Sequence, residues 1–236
     1  MKKLLTLLII CIATASWAQP SHAPLTKLLS KHVSAAGNVD YAAIKKDMGQ
    51  LDAYLKTLET SAPTDKWTDN AVKAYWINAY NAYTLKMMLK HYPLKSITDI
   101  KYGEQSAWDY KWIKIGGETL SLNNIEHQKL RAKFKDPRIH FAVNCASYSC
   151  PILLNKAYEA STLETQLNTQ AKLFINDSKR NKITADKIQI SEIFKWYKDD
   201  FASAGSIINY LNKYSKIKIK STAKVEYLSY NWNINA

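Results

Sequence analysis

The residues of this chain best equipped for chemistry lie in one short stretch. Cys145 and Cys150 stand close together, with His140 and Asn144 just upstream; His127 and Glu126 come a little earlier. Three chemistries suit such a set. In the first, Cys145 is a nucleophile, His127 or His140 its base, and Asn144 or Glu126 the group that orients the ring or donates to an oxyanion. A thiolate paired with an imidazolium, whose ring a third polar group holds, performs acyl transfer on an amide or ester. In the second, Cys145 and Cys150 form a disulfide, since a loop can bring them to the required Cα separation where a helix cannot. In the third, Cys145, Cys150, His127 and His140 supply four acceptable zinc ligands. The two histidines sit on separate elements instead of at a compact ligand spacing, so no metal site and no cofactor is assigned.

These side chains need elements to position them. Arg138 to Asn144 alternates as a strand, with Ile139, Phe141 and Val143 on one face and His140, Ala142 and Asn144 on the other. Cys145 to Pro151 then reads as an irregular loop that also offers Ser147. His127 falls on a short helix, for which Asn123 as cap and Glu126 three positions later form a capping box. Arg131 on that helix and Arg138 could each bind a substrate carboxylate, but Asp136 is an equally natural partner for either. Upstream, a long helix is expected from Thr68 or Asp69 to about His91, where Pro93 stops it. Apolar side chains cover most of its surface, which predicts a central, buried position. Asn78 and Asn81 lie on it, and buried amides must find partners. They are candidates for binding a ligand or for bracing nearby loops.

Around this middle region the pattern is mixed. Leu25, Leu28 and Leu29, and then Leu51, Tyr54, Leu55 and Leu58, fall at helical spacing. Gly116-Gly117 between two apolar runs predicts a hairpin, and a second is expected around Ala185-Asp186. A helix from about Ser161, again with a capping box to Glu164, two shorter helices, and strands at Ile217 to Lys220 and Val225 to Tyr230 complete the chain. Hairpins in place of repeated strand–helix–strand units predict an α+β fold with helices packed on a largely antiparallel sheet.

Composition narrows the function classes. The 236 residues are 47% hydrophobic and 22% charged, with only 6 Gly and 6 Pro. That is the balance of a globular chain without long disordered linkers. Lys2 and Lys3, the apolar run Leu4 to Ala13 and the small residues of Ser16-Trp17-Ala18 predict a signal peptide over 1–18. A single domain over 19–236 follows, exported to the periplasm or beyond. The apolar run is shorter than the roughly 20 residues of a membrane span, and charges or amides interrupt every later one. The net charge of +13 makes this a basic protein. Its lysines are spread along the chain with no basic helix interleaved with stacking aromatics, so nucleic acid is not an expected partner. In Lys216-Ile217-Lys218-Ile219-Lys220 the alternation predicts an edge strand with one lysine face.

Several stretches carry a family resemblance. Ala74-Tyr75-Trp76-Ile77-Asn78-Ala79-Tyr80-Asn81-Ala82 resembles the helix motif of the domain of unknown function 547 family, seen in exported bacterial members. Ser121-Leu122-Asn123-Asn124-Ile125-Glu126-His127 with Leu130-Arg131 is similar to its second motif, and Asp136 to Ser147 ending in Cys150-Pro151 to its third. Phe194-Lys195-Trp196-Tyr197 and Tyr230-Asn231-Trp232 resemble two more. The resemblance covers most of 19–236, in order. It implies a family defined by similarity and not by an activity. It also implies that the thiol is not the family's shared reagent, because some plant members carry serine at these cysteines; Ser147 and Ser149 then become rival nucleophiles.

Two readings follow. One is a thiol-dependent hydrolase or acyltransferase, papain-like or transglutaminase-like, acting on a small-molecule or peptide substrate. The other is a non-catalytic binding or scaffolding domain whose loop is closed by a Cys145–Cys150 disulfide.

Overall fold

The structure, a computed structural model, describes residues 19–236. The signal-peptide reading falls on 1–18, outside the described residues. At the centre is the long helix Asp69–His91. The Thr68 side chain accepts from the Ala71 amide at 3.3 Å, while Asp69 in the first turn and Lys90 and His91 in the last favour the helix dipole. Nearly every residue from Ala71 to Leu89 is buried, Lys73 included. Burial all round, and not an amphipathic stripe, explains why its sequence is apolar on most faces.

The helix Met48–Thr60 packs along it, and Ala23–His32 packs in turn against Met48–Thr60. Leu25, Leu28, Leu29, Leu51, Tyr54, Leu55 and Leu58 face inward, as their spacing predicts. The Gly116-Gly117 hairpin pairs Ile113–Ile115 with Glu118–Leu120. Both glycines have positive φ, +59° and +80°, which is what a two-residue turn of this hand requires.

The fold is α+β, with small sheets. Among the described residues three of the four strand pairs are antiparallel; the fourth, Lys187–Ser191 with Lys224–Leu228, is parallel. The expected strand at Ile217 to Lys220 does not form. Ile219 is buried and Ile217 exposed, and the Asn212 side chain holds the Ile219 backbone from both sides, at 2.9 Å each. The lysine alternation there reflects a loop with one anchored residue.

A larger correction concerns Arg138 to Asn144. Pro137–Phe141 is a turn of 3-10 helix and not a strand. Asp136 caps it, accepting from the Arg138 amide at 3.1 Å, and Pro137 supplies the first helical φ. The alternation misleads because every residue from Ile139 to Asn144 is buried. Ile139 belongs to the main core around the central helix, whereas Phe141 belongs to a second core with Phe174, Phe194, Phe201 and Tyr210. The turn thus sits on the seam between two cores, and the cleft described next opens along that seam.

Candidate functional site

A cleft of about 250 Å³ is lined by His140, Cys145, Cys150, Glu126 and Tyr80, with Trp108, Trp196, Tyr197, Tyr230 and Trp232. The 3-10 turn delivers His140, the loop after it delivers the thiols, and the C-terminal segments close the far wall.

Cys145 is half-buried, in an irregular loop. Its Sγ lies 2.9 Å from Cys150 Sγ, 3.1 Å from Ser147 Oγ and 3.4 Å from Tyr230 Oη. The two sulfurs are free thiols at hydrogen-bonding distance, well beyond the covalent S–S length of about 2.05 Å. A hydrogen bond from Cys150, helped by Ser147 and Tyr230 and opposed by burial, holds the Cys145 thiol below the usual range. Burial, then the hydrogen bond with Cys145 and the charge on it, push Cys150 the other way. The pair therefore differentiates into one acidic thiol and one that stays protonated.

The loop itself is fixed by amides. Asn81 Nδ2 donates to the Ala142 carbonyl at 2.9 Å, and its Oδ1 accepts from the Asn144 amide at 2.8 Å. Asn144 Nδ2 donates to the Pro151 carbonyl at 2.8 Å, and its Oδ1 accepts from the Ala146 amide at 2.9 Å. Asn144 is thereby spent on the loop and is not poised beside a histidine. Asn78 makes the same two-way clasp on Tyr158, away from the cleft. Arg180 donates to the carbonyls of Cys150 and Tyr148, at 2.8 and 2.9 Å. The residue after the thiol, Ala146, has φ +60°, in the left-handed region that non-glycine residues rarely occupy.

His140 is almost fully buried. Its Nε2 is 2.6 Å from Asp200 Oδ2, its ring stacks on Tyr197 with centroids 3.8 Å apart, and its buried Nδ1 has no hydrogen-bond partner among the described residues, Glu126 Oε1 lying 4.0 Å away. Asp200 also takes both Arg131 Nε and NH2, at 2.7 and 2.9 Å. Partial burial raises its pKa, and the His140 and Arg131 hydrogen bonds outweigh that, leaving it well below the carboxylate range.

Glu126 is buried and accepts from Tyr197 Oη at 2.6 Å, so it is not a helix cap. The capping pair is Ser121 and Asn124, each side chain accepting from the other's amide, at 3.1 and 3.0 Å. The segment that follows, Asn124–Arg131, is wound as a π-helix, a rare form that recurs at functional sites. Nor does Ser161 cap the next helix, Leu163–Ile175; Glu164 instead pairs with Arg138 at 2.8 Å.

Of the sequence-derived candidates, Cys145, His140 and Glu126 line one cleft, with Ser147 and Asn144 directly behind Cys145. His127 does not join them: its Nδ1 is 2.9 Å from Arg131 NH1. Arg131 is committed to Asp200, and Arg138 is bound by Asp136, Asn168 and Glu164 away from the cleft. Asp200, Tyr230 and the tryptophans were not legible as site residues. Asp199-Asp200 reads as a solvated acidic pair, and Tyr230 is far from the thiols in sequence. Among the described residues no group of three or more His, Cys, Asp and Glu is arranged to hold a metal ion, and no helix is long and apolar enough to cross a membrane.

This arrangement offers an acidified thiol, an imidazole anchored by a carboxylate with one nitrogen uncommitted, and a cleft between them. No curated protein and no solved structure matches this chain. Asp200, Trp196, Tyr197, Tyr230 and Trp232 lie C-terminal to the segment that does match a known family, and Trp108 lies within it. Residues 64–175 match the family described as protein of unknown function, DUF547, which supports the kinship that the motifs suggest and ties to it the central helix, the π-helical segment and the thiol loop.

Proposed function

We propose that the cleft is a thiol-dependent acyl-transfer site, with Cys145 as nucleophile, His140 as acid–base and Asp200 as the group that positions the imidazole. One observation carries this reading: Cys145 and His140 line the same cleft, and the Asp200 carboxylate that holds one ring nitrogen of His140 leaves the other, Nδ1, without a hydrogen-bond partner among the described residues.

The hydrogen bonds of Cys145 go to Cys150, Ser147 and Tyr230, and not to His140. Catalytic contacts in an unliganded site are often loose and tighten around substrate. An already acidic thiol also lessens the demand on the base. In the reaction, Sγ attacks the carbonyl carbon of an ester or amide, and a C–S bond forms as the bond to the leaving oxygen or nitrogen breaks. The thiol proton passes to His140 and from there to the leaving group. Water then attacks the thioester, His140 takes its proton, the C–S bond breaks and the thiol is restored with release of the acid.

The test is p-nitrophenyl acetate with mass spectrometry of the intact chain after rapid quenching. One acetyl group carried on Cys145, absent after Cys145→Ala, is the expected result. Release of nitrophenol at the same rate in wild type and Cys145→Ala overturns the proposal.

A further inference from the structure

Resting on the acyl-transfer reading, we infer that the substrate of this cleft is a saccharide bearing the acyl group, with a gluco-configured pyranose ring stacked on Trp196. The chain carries 33 Lys and Arg and a net charge of +13. Yet among the described residues no lysine or arginine lines the cleft. In so basic a protein a cleft free of cations is no receptor for phosphate or carboxylate groups, and the substrate it fits is uncharged at the recognised end.

The wall supplies the rest. Trp196 and Trp232 are stacked with planes 21° apart and centroids 5.7 Å apart, and Tyr230 lies against both, at 4.8 and 4.5 Å. Trp108 meets Trp232 edge-on at 5.8 Å. These rings lean on one another, Tyr230 tilted by 51° to both indoles, and the near-parallel pair Trp196 and Trp232 supplies the platform. A cage for a quaternary cation instead needs separate ring faces turned to a common point. Trp196 is 44% exposed, so the platform is open to a ligand and not buried as core. A gluco-configured ring has its hydroxyls equatorial and its C–H bonds axial, which gives it an apolar face to lay on indole and a polar edge to be read.

The polar edge has matching partners in the same cleft. Ser106 and Asn123 both line the cleft and are both fixed by Asp109: Ser106 Oγ donates to Asp109 Oδ2 and Asn123 Nδ2 to Oδ1, each at 2.6 Å. The Asn123 amide keeps its carbonyl and second N–H, a donor–acceptor pair suited to vicinal hydroxyls. Trp196, Tyr230 and Trp232 come from the C-terminal part of the chain and Ser106 and Asn123 from its middle, with Trp108, whose carbonyl accepts from the Asn123 amide at 3.0 Å, joining the two.

The experiment is saturation-transfer NMR on the Cys145→Ala chain, so that binding is read without chemistry. The probes are the β-1,4-linked tetramer of N-acetylglucosamine and cellotetraose, with choline as the competing class. At least one tetramer is expected to bind saturably with a Kd of about 0.1–1 mM, equivalent to roughly 4–5.5 kcal/mol. Trp196→Ala should weaken it at least about tenfold, and Trp196→Tyr, which keeps a flat ring, should restore most of the loss. No saturable binding of either tetramer, equal affinity in Trp196→Ala, or binding of choline alone overturns the inference. The acyl-transfer reading is judged separately by acetylation of Cys145 in wild type, so either idea can fail while the other stands.

Discussion

Two aspartates flank the same 3-10 turn, and both are clamped by an arginine and a second base, yet they do different things. Asp136 takes four donors: the Arg138 amide and Nε on one oxygen, Arg138 NH2 and Lys73 Nζ on the other. Every lone pair is used, the group is nearly buried, and Arg138 spends its remaining N–H on Asn168 and Glu164. Asp200 takes Arg131 and His140 and remains partly exposed, and the imidazole it holds keeps an empty nitrogen beside a cleft. The ion chemistry is shared; what separates a brace from a candidate reactive group is one unspent valence on a residue that lines a cleft. The first cluster locks the turn to the central helix, and the second uses that locked turn as a base.

The widest gap between the two regions is expected from deleting the thiol that the open cluster faces. Cys145→Ala should remove covalent acetylation altogether and lower ester turnover by about 10³-fold or more, as loss of a nucleophile does elsewhere. Its unfolding free energy in urea should move by only about 1 kcal/mol, because a half-exposed thiol contributes little burial. A collapse of stability of several kcal/mol would make Cys145 a structural thiol and erase the contrast.

Isosteric removal of each charge sharpens it further. Asp200→Asn should lower turnover by about 10²–10⁴-fold, since an imidazole that loses its carboxylate also loses its preferred tautomer. Asp136→Asn should leave turnover within a factor of about 3 but cost about 3 kcal/mol, because Lys73 and Arg138 remain buried without their counter-charge. The two readouts, paired on both variants, must cross. If Asp136→Asn abolishes ester turnover at unchanged stability, the division between brace and site is wrong.

Much of this division was hidden in the sequence, for physical reasons. The central helix, expected from Thr68 or Asp69 to about His91 and found at Asp69–His91, was legible because Thr68, the apolar run and Pro93 all act locally. The thiols, His140 and Glu126 were legible as types. Their geometry was not, because Ile139 to Asn144 is buried from two sides and burial on both sides mimics strand alternation. Glu126 sits where a capping residue would, while the cap is made by Ser121 and Asn124. Asp200 is brought to His140 only by packing of the second core, and no pattern near Asp200 announces it. Tyr230 and Trp232 were visible as a motif, but nothing local ties them to Cys145.

Acid separates the clusters more gently. Burial raises Asp136, but the Arg138 and Lys73 hydrogen bonds prevail and bring it down to about 2. An unfolded carboxylate titrates near 4, so as the pH falls the unfolded chain binds a proton that the folded one refuses. The contribution is therefore fully present above about pH 5 and is lost as the pH drops from about 4 towards 2; its size is about 2 kcal/mol. Urea titrations at stepped pH should show this acid limb in wild type and a flatter one in Asp136→Asn. An unchanged limb in the variant would mean that Asp136 titrates normally and is not the brace described.

The smallest expected effect probes the residue that turns the thiol into the cleft. Ala146 holds φ +60°, a conformation that costs a residue with a Cβ roughly 1–2 kcal/mol and glycine almost nothing. Ala146→Gly relieves that strain but adds freedom to the unfolded chain, worth roughly 0.5–1 kcal/mol, and removes a buried methyl worth about 0.8 kcal/mol. These contributions nearly cancel, so stability should stay within about 1 kcal/mol of wild type. The acetylation rate should also hold, because the Asn144 side chain still receives the residue-146 amide and Asn81 still clasps both neighbouring peptides. A large loss of acetylation at unchanged stability would show that the Ala146 methyl, and not the asparagine clasp, keeps Cys145 in register with the cleft.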